Sequence, residues 1–161
     1  MSGSLIRKVK QGLKTQDVDN KHYLSWTGFE FAISEFVKDY KQNNYKCIGV
    51  YGPTRGGLPI AVTLSHRLDI PYFKGSYHHI SSHLQVSNPD TFGIKGKILV
   101  VDDIADTGKT LEPLIRPNVI TYTIYYHPQS TVKPDYYVFE KKDDWVVFPW
   151  EEDMYGYESN N

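Results

Sequence analysis

Asp102 and Asp103 stand side by side after the aliphatic run Ile98-Leu99-Val100-Val101. Four apolar residues bounded by charge are the pattern of a strand buried on both faces. In open α/β sheets, ligands bind at the carboxyl ends of such strands. Directly downstream come Asp106, Thr107, Gly108, Lys109 and Thr110, small, hydroxylated or glycine positions where the chain turns toward a helix. Successive amides at a turn of this kind, reinforced by a helix dipole, make a cradle for a phosphate dianion. The paired acids suit hydroxyl groups or a bound metal. The run therefore points to a ligand that brings a phosphate together with one of these.

A Walker loop would share Gly108-Lys109-Thr110, but Asp103 occupies the place of its first glycine. A receiver domain would carry its acidic pair near the start of the domain, not past residue 100. A second anion loop is legible upstream. The short apolar strand Cys47–Tyr51 runs into Gly52-Pro53-Thr54-Arg55-Gly56-Gly57, and an apolar helical run, Leu58 to Leu68, follows. Two glycines and a proline would explain a plain tight turn. They also let backbone amides approach a ligand closely, and Arg55 offers a planar fork for phosphate.

The elements that must position these loops alternate along the chain. Thr27 and Glu30 read as a capping box with Trp26 stapling onto Phe31, and Phe29, Ala32, Ile33, Phe36, Val37 and Tyr40 repeat at helical spacing. Ile70 to Tyr77, Val119 to Tyr126 and Pro134 to Phe139 read as strands, and Pro117 ends any helix after Ile115. Strands alternating with short helices predict an α/β fold. The stretch from His78 to Gly96 is long and polar, the kind of loop that serves function or is disordered. Its His78, His79 and His83 have no cysteine neighbour, and the expectation is a solvated loop with no protein-only metal site.

The totals bound the answer. A chain of 161 residues, 40% hydrophobic and 23% charged, suits one soluble domain with a sizeable core. Its net charge of -1 recommends neither nucleic acid nor an anionic membrane as partner. The lone Cys47 fits a reducing cytoplasm. Residues 1–10 carry no apolar leader core, and no later run is long enough to span a bilayer.

Along its whole length, the run from Lys97 to Thr110 resembles the phosphoribosyl pyrophosphate signature of the type I phosphoribosyltransferases. Tyr23-Leu24-Ser25-Trp26 and the closing Asp143-Asp144-Trp145-Val146-Val147-Phe148-Pro149-Trp150 are similar to segments of the xanthine-guanine members, the latter also to archaeal relatives ending in Phe-Pro-Trp, and the resemblance as a whole is nearest to the xanthine-guanine and hypoxanthine-guanine members. The resemblance covers nearly everything from Tyr23 to Glu152. It implies a parallel, doubly wound sheet in a single domain over residues 1–161. A small hood would come from about residues 1–25 and 127–155, with a frayed tail over 155–161. The activity implied is transfer of 5-phosphoribose from phosphoribosyl pyrophosphate to a 6-oxopurine, with magnesium bound mainly through that substrate, in a cytoplasmic homo-oligomer, dimer or tetramer. Adenine, a pyrimidine, or a non-catalytic nucleotide sensor of the same fold are the alternatives.

Residue by residue, the resemblance assigns the ribose hydroxyls and magnesium to Asp102 and Asp103, and the 5-phosphate to Asp106, Thr107, Gly108, Lys109 and Thr110. Pyrophosphate goes to Thr54, Arg55, Gly56 and Gly57, with a non-proline cis bond at Thr54–Arg55. Asp106 is the base that takes the purine's proton; adenine-specific relatives carry alanine there. Ser76 and Tyr77 begin a mobile loop over the reacting centre. Trp145 stacks on the purine, and the carbonyls of Val146 and Glu151 meet its 2-position. His127 departs from the pattern, standing where 6-oxopurine relatives carry a lysine. An imidazole there either donates to an oxo group or, as one neutral tautomer, accepts from an amino group.

Overall fold

The structure, a computed structural model, describes residues 17–18, 20–78, 83–86 and 96–151, with backbone alone for 17–18, 75–78 and 83–86. In chain order the elements are β1 (Asp17–Val18), β2 (Lys21–Tyr23), α1 (Trp26–Gln42), β3 (Cys47–Tyr51), α2 (Gly57–Leu68), β4 (Gly75–His78) and β5 (His83–Val86). They continue with β6 (Lys97–Ala105), a 3-10 turn at Glu112–Leu114, β7 (Val119–Tyr126), β8 (Tyr136–Glu140) and β9 (Trp145–Val147). Two compact units result. One holds the chain to Phe31 and from Asp143 onward, and the other holds Ala32–Lys142.

The larger unit is built on a four-stranded sheet in the order β3-β6-β7-β8, with every pairing parallel. Leu99, Val100 and Val101 of β6 are fully buried, as a strand flanked by neighbours on both edges and covered on its faces requires. β6 runs further than its aliphatic core suggests, carrying Asp102 and Asp103 inside the strand and ending at Ala105. β7 presents Tyr122 to α1: Phe36 packs 4.9 Å from its ring, and its hydroxyl donates to Asp39 Oδ2 at 2.6 Å. Burial, followed by that hydrogen bond, pushes the Tyr122 hydroxyl far above its ordinary pKa. Asp135, just ahead of β8, accepts from the Thr121 amide at 2.8 Å and from its hydroxyl at 2.9 Å, which ties the entry to β8 to β7.

Several local expectations give way to better competitors. α1 is capped by Ser25, whose Oγ accepts from the Gly28 amide at 3.1 Å, so the cap sits two residues before Thr27. Trp26 packs edge-on against Phe29. Residues 70–77 do not form one strand. Pro71 has no amide for a ladder, so only Tyr72 bridges to Val50, and β4 starts afresh at Gly75, pairing antiparallel with β5. The rest of the expected loop, 79–82 and 87–95, lies outside the described residues, as does the tail from residue 152.

In the smaller unit, β2 pairs in parallel with β9 and antiparallel with β1. Trp150 stacks on Phe148 with centroids 5.0 Å apart and meets Phe29 edge-on at 5.6 Å. That ring is held by packing against other aromatics.

Candidate functional site

The parallel pairing of β3 with β6, in which Tyr51 lies opposite Val100, brings the loops after both strands to the same end of the sheet. Two motifs about fifty residues apart in sequence therefore share a cleft of about 250 Å³. Pro53, Thr54 and Gly56 line it from the first loop, and Asp102, Asp103, Asp106, Thr107, Gly108 and Thr110 line it from the second. Ile104, Ala105 and Leu111 complete the wall, apolar positions that motif reading passes over. Arg55 and Lys109 are exposed and Gly57 is buried, and none of the three lies in this wall.

The first loop is held by its own backbone. Gly57 donates to the Pro53 carbonyl at 3.0 Å and Leu58 to that of Arg55 at 3.2 Å. The Thr54–Arg55 peptide, the bond the resemblance singled out, is cis.

The second loop is not the start of a helix. Leu111 and Glu112 both donate to the Gly108 carbonyl, at 3.1 and 2.9 Å, and only the short 3-10 turn follows. Pro117 restricts the residue before it, so the turn has no room to extend. A helix dipole therefore adds little here, and the cradle rests on the loop's own amides. Among the described residues, those of Thr107, Gly108 and Thr110 meet no protein acceptor, while Lys109 meets only Thr107 Oγ1 at 3.4 Å. Gly108 sits at φ +85°, where a side chain is strained, and a Cβ there would come within 2.5 Å of Thr131 Oγ1.

The turn after β7 buttresses this cradle. His127 donates its amide to the Ala105 carbonyl at 3.0 Å, and Thr131 donates both amide and hydroxyl to the Thr107 carbonyl, at 3.1 and 3.2 Å. Gln129 Nε2 donates to Asp106 Oδ1 at 3.0 Å, and Lys141 Nζ lies 3.7 Å from the same oxygen. Neither partner of Asp106 belongs to a motif. Gln129 sits in a turn and Lys141 stands between Glu140 and Lys142, and only the parallel register of β6, β7 and β8 puts the three together.

Asp102 is 6% exposed. Burial holds its carboxyl well above the ordinary carboxylate range, the Asp103 charge adds to the rise, and the Asp103 amide donating to its Oδ1 at 3.0 Å opposes it. A cation would relieve such a pair. Among the described residues no three His, Cys, Asp or Glu are arranged to hold a metal by themselves. The two carboxylates offer hard oxygen donors to an ion that completes its shell with substrate oxygens and water, so they fit magnesium.

His127 Nδ1 accepts from the Gln129 amide at 3.0 Å. An imidazole nitrogen facing an N–H carries no proton, so the neutral ring holds its proton on Nε2. In the smaller unit, Trp145 is 70% exposed in β9 and Val146 is buried. Glu151 folds back on Phe148, its Oε2 accepting that amide at 3.0 Å and its own amide donating to that carbonyl at 2.9 Å. Ser76 and Tyr77 lie in β4, opposite Gln85 and Leu84.

The phosphoribosyl transferase domain family matches residues 19–156. The chain belongs to the phosphoribosyltransferase family. It is 34% identical over 114 residues to xanthine-guanine phosphoribosyltransferase from Cereibacter sphaeroides, covering 63% of this chain and 68% of the relative. Against the protein of the same description from Idiomarina loihiensis, identity is 31% over 144 residues, 83% of this chain and 88% of the relative. Among solved structures, the purine phosphoribosyltransferase from Pyrococcus horikoshii superposes with a TM-score of 0.66 at 34% identity, covering 83% of this chain and 95% of that one. The parallel α/β sheet and the two loops at one end of it are thus the frame of a phosphoribosyltransferase, and the chain is a pentosyl-transferring enzyme. No helix among the described residues is long and apolar enough to cross a membrane.

Proposed function

We propose that this phosphoribosyltransferase moves 5-phosphoribose from phosphoribosyl pyrophosphate to a 6-oxopurine (guanine, hypoxanthine or xanthine), releasing pyrophosphate, as a step of purine salvage in the cytoplasm. The observation that carries the reading is the single cleft in which the acidic pair, the phosphate cradle and the Thr54–Gly56 loop meet. The xanthine-guanine description shared by the relatives supports the choice of base.

In this reading the amides of residues 107–110 hold the 5-phosphate, together with Asp106 at the head of the loop. Asp102 and Asp103 accept from the ribose hydroxyls and face the positive charge that develops on the sugar. Thr54, Arg55, Gly56 and Gly57 receive the pyrophosphate. Magnesium, held by the acidic pair and by substrate oxygens, would supply neutralising charge to the leaving group. The purine nitrogen gives its electron pair to the anomeric carbon and its proton to Asp106, while the carbon–oxygen pair departs with pyrophosphate. Trp145 stacks on the base, the carbonyls of Val146 and Glu151 meet its 2-position, and Ser76 and Tyr77 belong to the segment that covers the reacting centre. The working assembly is a homo-oligomer, dimer or tetramer.

Turnover with phosphoribosyl pyrophosphate, magnesium and each of guanine, hypoxanthine, xanthine and adenine tests this. At least one 6-oxopurine should exceed adenine by about 10²-fold or more in kcat/KM, as expected where a polar group of the site pairs with one base and is left unpaired by the other. Preference for adenine would reject the base assignment. Binding of substrate without any product would leave only a sensor.

His127 sharpens the choice of base. With its proton on Nε2, the neutral imidazole donates and cannot accept, which suits an oxo group and not an amino group. Its donor survives loss of the ring's positive charge. His127→Leu, which removes the donor, should therefore lower 6-oxopurine kcat/KM by roughly 10-fold at every pH from 6 to 9, without changing the shape of the profile. A variant whose deficit grows or shrinks with pH would show that the charged ring is the donor.

A further inference from the structure

Asp106 lies in a turn with its side chain 43% exposed, where a short carboxylate is free to rotate about its last bond. A base must hold one oxygen within about 3 Å of the proton it takes, so something has to fix that rotation. Both contacts to the carboxylate fall on Oδ1: the Gln129 amide at 3.0 Å and the Lys141 ammonium at 3.7 Å. Each partner is itself anchored. Gln129 donates its own backbone amide to His127 Nδ1 at 3.0 Å. Lys141 extends the β7–β8 ladder by donating its amide to the Tyr126 carbonyl at 2.7 Å, and its Nζ also donates to the Lys142 carbonyl at 3.1 Å.

A lysine in the run Glu140-Lys141-Lys142 would ordinarily be a solvated charge. Yet the Lys141 side chain is only 11% exposed, and lysines are almost never so covered unless paired. Lys141 is thus held beside Asp106, away from bulk water. Among the described residues, this places one largely covered cation and one neutral donor on the same oxygen of a residue that lines the cleft.

We propose that Gln129 and Lys141 are positioning residues that grip Asp106 by Oδ1 and so present Oδ2 to the purine's ring proton. The inference rests on Asp106 being the base of the reaction. The two residues touch neither substrate nor sugar; they act through Asp106 by removing orientations in which the proton would have to travel further.

The test is steady-state and single-turnover kinetics, with guanine and phosphoribosyl pyrophosphate, on Lys141→Met, Lys141→Arg, Gln129→Leu, Asp106→Asn and the double variant Asp106→Asn/Lys141→Met. Lys141→Met and Gln129→Leu should each lower kcat on the order of 10-fold, given that misplacement of about 1 Å costs about 10²-fold. KM for phosphoribosyl pyrophosphate should stay within about twofold, since Asp106 is asked to orient and not to bind. Lys141→Arg, which keeps the charge, should recover most of the rate. The double variant should be no slower than Asp106→Asn alone, because nothing is left to position. Wild-type kcat in both Lys141→Met and Gln129→Leu overturns the inference. So does a Lys141→Met loss that recurs in full on the Asp106→Asn background, which would mark a merely structural role. Neither result touches the reading of Asp106 itself. Wild-type turnover in Asp106→Asn would reject that reading, and the inference with it. If Lys141→Met does not fold, Gln129→Leu and its combination with Asp106→Asn carry the same test.

Discussion

Asp103→Asn and Asp102→Asn should each slow phosphoribosyl transfer by about 10²–10³-fold, the range seen when one preorganised electrostatic contact to a transition state is removed. The two variants should nevertheless differ in stability. Asp102 is a carboxyl inside a strand, 6% exposed, and burial raises its pKa in the folded protein above that of the unfolded chain, with the Asp103 charge raising it further. For a group shifted in that direction, the unfolded state gives up its proton first as pH climbs. Stability is then lost between the ordinary carboxylate pKa, about 3.9, and the higher native value. Below that window both states are protonated and the effect vanishes. Asparagine has no proton to lose, and its Oδ1 still accepts the Asp103 amide. In the absence of substrate and divalent cation, Asp102→Asn should therefore melt with the wild type at acid pH and above it at neutral pH. A calorimetric pH series on both proteins measures this. Parallel Tm curves across the series would mean that the buried acid is not under electrostatic tension. A more stable, nearly inactive Asp102→Asn is the expected mark of a residue kept for chemistry at a cost to the fold.

How much of this was legible beforehand varied with the range of the forces involved. β3 and β7 begin and end where the sequence places them, because β-branched and aromatic residues bracketed by charge or turn residues leave few alternatives. The helix after the Pro53–Gly57 loop was equally plain. Local competition was harder to read: Ser25 and Thr27 both offer a capping oxygen, and which one wins depends on where Trp26 and Phe29 pack. Pro71 splits a run that looks continuous by apolar content alone. The two loops lining the cleft could be recognised because each motif is local. Their meeting follows from strand order, which no single stretch contains. The surroundings of Asp106 were invisible for the same reason. Gln129 and Lys141 reach it across two strand boundaries, and nothing about a glutamine in a turn or a lysine beside a lysine announces that.

Gly56→Ala should be nearly inactive and yet no less stable. Gly56 has φ -63° and ψ -38°, right-handed helical values that alanine adopts without strain. Replacing glycine at such a position removes freedom from the unfolded chain and adds about 0.4–1 kcal/mol of stability where nothing collides. Something does collide here. A Cβ on Gly56 would overlap the carboxylate of Asp103, meeting its Cγ and Oδ2. The Asp103 backbone cannot retreat, because β6 is paired on either side of it, Asp102 with Thr123 and Ile104 with Tyr125. Either the carboxylate swings away from its place in the cleft or the Thr54–Gly57 loop lifts. Both disturb the spacing between the groups proposed to hold the ribose and the pyrophosphate. A displacement of about 1 Å is enough to cost about 10²-fold in rate, so kcat/KM for phosphoribosyl pyrophosphate should fall by about that factor while Tm holds or rises slightly. Gly108→Ala makes the contrast. At φ +85° alanine is strained, and that variant should lose stability as well as activity, by about 1–3 kcal/mol. Because the Gly56 effect is assigned to one carboxylate, it should vanish once that carboxylate is removed. In an Asp103→Ala background, adding Gly56→Ala should change kcat/KM by less than about twofold. A further full loss there would show that the methyl group acts on the pyrophosphate loop alone, and that Asp103 and Gly56 do not set the width of the cleft together.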